Sequence, residues 1–421
     1  KTVELTEEEE ENIQNAFMQL KNLESYPFSA LELSTNINEE QVADVFVRIN
    51  SQGKTLNQAD FILTLMSVFW EEGRKDLEAF CRLCRLPSKD AASPFNYLID
   101  PDPDQMLRVS VGLAFRRARL QYVYSILRGK DLETGNFSTE RRDNQFDVLK
   151  LAQAKSLNIQ NWHEFIKAVK QAGFARQDYI SSKNNLLYAY IFFLIGREEF
   201  KMNLYELKKL IGKWFFMSSI TGRYTGSPET VMEMDLARLR GLSTADEFQK
   251  VLDDVIVSQL TNDFWDITLP MDLSTSSSTS PSLYAYYAAL YVLGANGLFS
   301  KLKVSDLLQE GLRSKKSALE RHHLFPKAWL HRNGISEQRE TNQIANYALV
   351  EWSDNISISD TAPADYLPEY LNRLSAEERQ KMYYWHALPE HWEQMKFEDF
   401  LVERRKRIAQ VTKDAYTTIS K

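Results

Sequence analysis

Helical periodicity runs almost without a break from about residue 85 to residue 267, and this limits the possible folds more than any other feature. Apolar positions recur every three or four residues, with interruptions at Pro101–Asp104 and at single glycines. Leu186–Ile195 is apolar on every side, which predicts a buried helix. We interpret its Tyr188 and Tyr190 as core residues and not as a base-stacking platform. The pattern predicts a mainly α fold.

The composition is that of a globular chain with several cores. Of 421 residues, 43% are hydrophobic and 12% aromatic, so two or three domains are expected. No apolar run reaches the length of a membrane span, and we expect no secretory signal from the first residues. Cys81 and Cys84 lack a second pair to complete a zinc site, so we expect half-buried helix cysteines and a cytoplasmic protein. Lys1 takes the place of an initiator methionine, and the sequence leaves open whether the chain is a fragment.

The most informative stretch lies between Leu319 and Leu367. It opens with the adjacent pair His322 and His323, two of only six histidines in the chain. Neighbouring side chains on an extended segment point to opposite sides, so one ion cannot easily bind both imidazoles. One histidine can then hold a metal while the other faces a water molecule. Phosphodiester hydrolysis needs both, since a base deprotonates the water and a cation neutralises charge on the phosphate.

Three pieces of this stretch resemble a known family when they occur in this order. They are His-His-Leu-Phe-Pro at His322–Pro326, Asn-Gln-Ile-Ala-Asn at Asn342–Asn346, and Pro-Ala-Asp-Tyr-Leu at Pro363–Leu367. Together they resemble the HNH (ββα-metal, His-Me finger) domain of the GmrSD-type modification-dependent restriction enzymes. For the histidine pair alone, a capped helix end or a buried turn is the alternative.

The resemblance implies a role for each matching residue. His323 would be the general base, and Asn346 would hold the two strands together and orient that base. His322 and Asn355, the latter on the helix after the hairpin, would be the metal ligands. A neutral asparagine is a weak ligand that leaves most of the coordination sphere to water and phosphate, which is the pattern expected for Mg²⁺ or Mn²⁺.

Positive charge is concentrated around the histidine pair although the net charge of the chain is −7. Between residues 301 and 340, nine Lys and Arg stand against five Asp and Glu, a local excess of +4. Such a field is enough to attract phosphates. The candidate phosphate contacts are Arg321, Lys327, Arg404 and Arg405, and for the last two a solvated helix face is the alternative.

The N-terminal region carries a second resemblance. Phe46–Leu56 resembles a late segment of the ParB/sulfiredoxin-like domain of the same enzymes, which is associated with nucleotide hydrolysis and with sensing modified DNA. The Asp-Gly-Gln-Gln-Arg-type stretch of that domain is missing, so we expect the chain to begin inside the domain or to have lost it. Arg48, Asn50 and Lys54 would face a nucleotide, although helix capping and turn formation explain them equally well.

We therefore expect helical domains carrying one small ββα-metal motif. The predicted segments are a helical remnant of the ParB/sulfiredoxin-like domain at 1–85, a helical connecting domain at 86–273, a mobile Ser/Thr-rich linker at 274–282 and the HNH domain at 283–421. At the N-terminus, Thr6 followed by five glutamates predicts a capped helix start.

The resemblance implies a metal-dependent DNA endonuclease or nickase that acts on modified or foreign phage DNA. A catalytically inactive DNA-binding or sensing module of a larger nucleotide-dependent restriction protein is the first alternative. A helical interaction protein with a structural histidine pair is the second. RNA stays open as a substrate, because metal-and-base chemistry does not inspect the 2′ position.

Overall fold

The computed structural model describes residues 6–27, 32, 45, 58–88, 90–131, 134–308 and 319–420. By its contacts the chain divides into two compact units, residues 1–54 and residues 55–421. None of the described helices is long and apolar enough to cross a lipid bilayer.

The first unit contains helix α1 (Glu7–Asn22), which continues into a 3₁₀ turn at Leu23–Ser25. The Thr6 hydroxyl accepts a hydrogen bond from the Glu9 amide, and the Glu9 carboxylate accepts one from the Thr6 amide at 2.9 Å. This reciprocal cap satisfies two amide groups that the first helical turn leaves unpaired. The predicted helix start is confirmed.

Arg48, Asn50 and Lys54 lie outside the described residues. The nucleotide-facing surface expected there stays a prediction.

In the described part of the second unit, every named element from Gln58 to Asp272 is a helix, as the periodicity predicts, with one isolated antiparallel bridge between Lys130 and Phe137; the mainly α class is confirmed. A π-helical turn at Phe264–Thr268 leads into the short helix α12 (Leu269–Asp272), and a 3₁₀ turn lies at Gln177–Tyr179. The preceding helices are α2 (Gln58–Phe69), α3 (Glu71–Leu83), α4 (Pro103–Phe115), α5 (Leu120–Leu127), α6 (Thr139–Ser156), α7 (Ile159–Gln171), α8 (Lys183–Glu198), α9 (Leu204–Ile220), α10 (Pro228–Ala237) and α11 (Ala245–Gln259).

Helix α8 is the central element of this region. Every residue from Asn185 to Gly196 is buried, and the helix packs against α4 and α9. The Tyr190 hydroxyl donates a hydrogen bond of 2.9 Å to the Ser156 carbonyl, so its one polar group is satisfied inside the core. Tyr188 is also buried, against the ring of Tyr224. The prediction that these tyrosines are core residues is confirmed.

The two cysteines are free thiols buried at the C-terminal end of helix α3. Burial raises the pKa of both Cys81 and Cys84, because a thiolate is poorly solvated in an apolar environment. They are more deeply buried than predicted and behave as small apolar side chains.

The C-terminal part contains a two-stranded antiparallel sheet followed directly by a helix. Strand β1 (Leu319–His323) pairs with β2 (Tyr347–Glu351) so that Leu319 lies opposite Glu351 and His323 opposite Tyr347. The surrounding helices are α13 (Pro281–Val292), α14 (Val304–Leu307), α15 (Lys327–Arg332), α16 (Gln338–Thr341), α17 (Trp352–Ile358), α18 (Pro363–Leu371), α19 (Ala376–Trp385) and α20 (Phe397–Ser420). Short 3₁₀ turns occupy Ile344–Asn346 and Trp392–Gln394.

The Ser/Thr-rich segment 274–282, expected to be a mobile linker, lies against the hairpin region. The Thr275 carbonyl accepts a hydrogen bond of 2.9 Å from the Ile344 amide, and the Ser278 carbonyl accepts one of 3.2 Å from Arg321. Ser280 and Ser282 are buried at the start of α13. Backbone carbonyls can dock a segment that has no apolar side chains to bury, which composition alone does not reveal.

Helix α20 joins the regions that were predicted to be separate connecting and nuclease domains. It packs against α13 on one side and against α9 and α12 on others. Within the second unit these regions therefore share helix contacts.

Candidate active site

The hairpin gives the two adjacent histidines different partners. His322 is 3% exposed and contacts helix α17, whereas His323 is half-buried against the ring of Tyr347, with ring centroids 4.6 Å apart. Alternation along an extended strand accounts for this separation, because successive side chains leave opposite faces of the sheet.

His322 belongs to a chain of three polar side chains. Its Nδ1 lies 2.9 Å from Oδ1 of Asn355, and Nδ2 of Asn355 donates a hydrogen bond of 2.7 Å to Oε2 of Glu320. Glu320 is two residues from His322 on β1, so both side chains leave the same face of the strand. Asn355 reaches them from α17.

Burial controls the protonation state of His322. Desolvation lowers the pKa of its imidazole, and the hydrogen bond to Asn355 raises it by less. Its Nε2 atom is buried without a hydrogen-bond partner in the described part of the chain. The ring is therefore neutral near pH 7. Because an amide oxygen only accepts, Nδ1 carries the hydrogen and the lone pair lies on Nε2.

The arrangement fits a divalent cation with mixed nitrogen and oxygen ligands. The described residues contain no group of three His, Cys, Asp or Glu side chains that could hold a metal ion, so an ion here depends on the Asn355 amide oxygen. His322 Nδ1 and Asn355 Oδ1 lie 2.9 Å apart and form a hydrogen bond in which Nδ1 donates. A cation bound by both atoms would replace this proton, and the ring hydrogen would then be on Nε2. The two atoms already have about the 3.0 Å spacing of neighbouring ligands in an octahedral Mg²⁺ shell, so His322 and Asn355 would fit Mg²⁺ or Mn²⁺ with water in the remaining positions.

His323 is held by an asparagine that precedes β2. Its Nε2 lies 3.1 Å from Oδ1 of Asn342. An amide oxygen only accepts, so Nε2 carries the hydrogen and the lone pair lies on Nδ1. Burial lowers the pKa of His323 to about 4, with smaller lowering effects from Lys327 and His322 and an opposing effect from Asn342. At neutral pH the ring is neutral and can accept a proton.

Asn346 is fully buried and connects the residues that follow β1 with the segment that precedes β2. Its Oδ1 accepts a hydrogen bond of 2.9 Å from the Phe325 amide, and its Nδ2 donates to the carbonyls of Phe325 and Thr341. Its own carbonyl accepts from the Leu324 amide at 2.8 Å. These bonds agree with the implied strand-holding role.

The contact with His323 that the resemblance implies for Asn346 is made by a different residue, Asn342. The side-chain bonds of Asn346 go to backbone groups, whereas Asn342 contacts the His323 imidazole directly. Asn342 was part of the recognised motif but had no assigned role. The pairing of His323 with Tyr347 is the signal that could have found it, since it places the segment before β2 beside His323.

In the Pro-Ala-Asp-Tyr-Leu segment, Tyr366 makes the contact with the region of the histidine pair. This side chain is buried, and its hydroxyl donates a hydrogen bond of 2.7 Å to the Leu324 carbonyl. Helix α18 is thereby tied to the residue that follows the histidine pair.

Two of the four candidate phosphate contacts are exposed near His323. Arg321 is exposed on β1 and uses Nη1 to contact the Ser278 carbonyl, which leaves the rest of its guanidinium open to solvent. Lys327 is exposed at the first position of α15. Its charge acts on His323, so it lies in the same neighbourhood. Arg405 is half-buried and donates to the Leu401 carbonyl at 3.1 Å.

The prediction that Arg404 contacts phosphate is wrong. Its side chain is fully buried, and it donates hydrogen bonds to the carbonyls of His386 at 3.1 Å and Ala345 at 2.6 Å. The guanidinium therefore ties α20 to the segments before β2 and after α19. It is not available to a phosphate on the surface, because the apolar face of α20 carries it inward.

Comparisons with known proteins leave the family open. No model of a known protein family matches the chain, and no solved structure matches it. The chain is 23% identical over 373 residues to the uncharacterized protein MJ0686 of Methanocaldococcus jannaschii. That similarity covers 85% of this chain and 55% of MJ0686, so the chain spans about half the length of this relative.

Proposed function

We propose that the hairpin and helix α17 form the active site of a metal-dependent DNA endonuclease or nickase of the HNH type. The observation that supports this proposal is that the two adjacent histidines have different hydrogen-bond partners. His322 meets the oxygen of Asn355 at 2.9 Å on one side, and neutral His323 is oriented by Asn342 at 3.1 Å on the other.

The residues then have distinct tasks in hydrolysis. His323 takes a proton from water at Nδ1. Asn342 accepts the hydrogen bond from Nε2–H and so holds the ring with Nδ1 towards the substrate. His322 and Asn355 bind the cation. When bound, Mg²⁺ or Mn²⁺ supplies charge neutralisation at the scissile phosphate and the leaving oxygen. Arg321 and Lys327 contact flanking phosphates.

The substrate class follows from the resemblance. We propose modified or foreign phage DNA as the target in bacterial defence, with a nucleotide acting through the N-terminal unit. The site residues themselves recognise only a phosphodiester, and base selection requires contacts in the grooves from other elements.

A plasmid assay tests the proposal. Supercoiled unmodified plasmid and phage DNA with modified bases are incubated with Mg²⁺, Mn²⁺ or EDTA. We expect metal-dependent nicking that falls about 10²–10⁴-fold in His323→Ala, the range for loss of a positioned general base. His331→Ala is the matched control, since His331 is an exposed histidine of the same region, on α15.

DNA binding separates this proposal from its rival. We expect His323→Ala to bind DNA as tightly as the wild type, because the imidazole reacts with water and does not anchor the backbone. If wild type and His323→Ala bind DNA equally but neither nicks it with any metal, the chain is an inactive binding or sensing module.

A further inference from the structure

Among the residues that the structure describes, Glu320 is the acidic side chain that forms a hydrogen bond with the His322–Asn355 pair. It lies two residues before His322 on β1 and is half-buried. Its Oε2 accepts a hydrogen bond of 2.7 Å from Nδ2 of Asn355.

This hydrogen bond determines which end of the Asn355 amide faces His322. A carboxylate near neutral pH accepts hydrogen bonds and donates none, so the NH₂ end of the amide must point to Glu320. The oxygen end then points to His322 Nδ1, where it lies 2.9 Å away. An amide that turned by 180° would present hydrogens where a cation needs an oxygen.

The position of Asn355 makes such guidance necessary. Asn355 is on the short helix α17 and is only half-buried, so packing by itself does not choose between the two amide orientations. The described hydrogen bonds of its side chain go to His322 and Glu320 alone. His322 Nδ1 can present either a lone pair or an N–H, so it accepts both orientations of the Asn355 amide. Glu320 accepts only the NH₂ end, and it therefore selects the orientation.

We propose that Glu320 is a positioning residue of the metal site, which holds the Asn355 amide so that its oxygen faces the cation. This inference rests on the proposed function, because it needs His322 and Asn355 to be metal ligands. Outer partners of this kind commonly change metal affinity by about 10–100-fold.

Mn²⁺ binding measures the effect without reference to nicking. Free Mn²⁺ gives an electron paramagnetic resonance signal that decreases on binding, so titration of the protein yields the dissociation constant. We expect Glu320→Ala to raise that constant by about tenfold. Glu340→Ala is the matched control, since Glu340 is an exposed glutamate of the same region on α16 and should leave the constant unchanged.

The same Glu320→Ala change in an Asn355→Asp variant shows whether Glu320 orients the amide, binds the cation directly or acts through its charge. In Asn355→Asp the ligand is a carboxylate, whose two oxygens are equivalent, so no wrong orientation exists. We expect Glu320→Ala to leave the Mn²⁺ dissociation constant of this background within about twofold of its starting value, a clear non-additivity in a double-mutant cycle. An equal loss in both backgrounds would show that Glu320 acts as a ligand or as a charge, and would overturn the inference.

Two other results of the Mn²⁺ titrations distinguish failure of the positioning role from failure of the metal site. If Glu320→Ala binds Mn²⁺ like the wild type while His322→Ala does not, the positioning role is wrong and the metal site stands. If His322→Ala and Asn355→Ala bind Mn²⁺ as well as the wild type, the metal site itself is wrong and the inference fails with it. Thermal unfolding of each variant identifies any that lose the fold.

Discussion

The imidazole of His323 and the carboxamide of Asn342 lie 3.1 Å apart, although 19 positions separate them in the chain. The contact crosses from the end of β1 to the segment that precedes β2. It leaves Nδ1 of His323 as the atom with the lone pair, so a change at Asn342 alters the proposed base without touching His322 or Asn355, the proposed metal ligands.

Asn342→Ala should therefore slow nicking and spare binding. Loss of the amide oxygen frees the ring to rotate and to adopt the other tautomer. We expect the single-turnover rate to fall about 10–100-fold, an effect smaller than loss of the base itself. Gln338→Ala, at an exposed position on α16, should keep the wild-type rate. An unchanged rate in Asn342→Ala would contradict the orienting role.

Asn346→Ala should act on stability. The substitution leaves the amide and carbonyl of Phe325 and the carbonyl of Thr341 without their partner in a buried place. We expect the free energy of unfolding to fall by about 2–4 kcal/mol, as for buried polar groups that lose hydrogen bonds. Urea unfolding followed by tryptophan fluorescence measures it. Asn342→Ala serves as the comparison and should change stability by much less.

Arg321→Ala should weaken DNA binding in a salt-dependent way. Its guanidinium is exposed and its one described hydrogen bond goes to a backbone carbonyl, so its removal leaves the fold intact. Loss of one phosphate contact should lower the slope of log affinity against log salt concentration by about 1. Fluorescence anisotropy with a labelled duplex at several salt concentrations gives the slope. A slope equal to that of the wild type would remove Arg321 from the DNA surface.

Arg404→Leu should lower stability and leave the salt dependence of DNA binding unchanged. The side chain is fully buried and its two hydrogen bonds tie α20 to neighbouring segments, so their loss leaves the carbonyls of His386 and Ala345 unsatisfied. We expect a lower midpoint of thermal unfolding, with destabilisation of about 2–4 kcal/mol. The salt dependence of DNA binding should stay unchanged at temperatures where the variant is folded. A changed salt slope would return Arg404 to the DNA-binding residues.

Acid should destabilise the second unit through His386. Burial, helped by the nearby Arg404 charge, lowers its pKa to about 4 against the opposing effect of its hydrogen bond to the Asn296 carbonyl. Because the unfolded chain has the ordinary pKa of 6.5, it binds a proton between these two values while the folded protein does not. Stability is therefore full above pH 6.5 and falls as the pH decreases towards 4, by about 3 kcal/mol at most for this group.

His386→Gln should flatten that acid dependence. Glutamine keeps a donor for the Asn296 carbonyl, which accepts from His386 Nε2 at 3.0 Å, and it does not titrate. His391→Gln is the matched control for the substitution itself, because the His391 side chain is 77% exposed. Urea unfolding at pH 4.5, 5.5 and 7 compares the three proteins. Identical pH dependence in wild type and His386→Gln would contradict the assignment.

The sequence by itself determined the local structure of this protein. The periodicity of Leu186–Ile195 predicts a helix buried on all sides, and Thr6 followed by five glutamates predicts a capped helix start; both are present. Adjacent histidines on a strand must meet different surroundings, since strand geometry alternates. These features depend on residues a few positions apart, so the chain specifies them before any tertiary packing forms.

Only the tertiary structure decided which distant residues meet. It brought Asn342 rather than Asn346 to His323, placed Glu320 against Asn355, and turned Arg404 inward. Each of these outcomes depends on how segments far apart in the chain pack, and neither composition nor periodicity carries that information. A charged residue on an amphipathic helix can face solvent or a buried carbonyl with the same local pattern, and the neighbouring segments select between them.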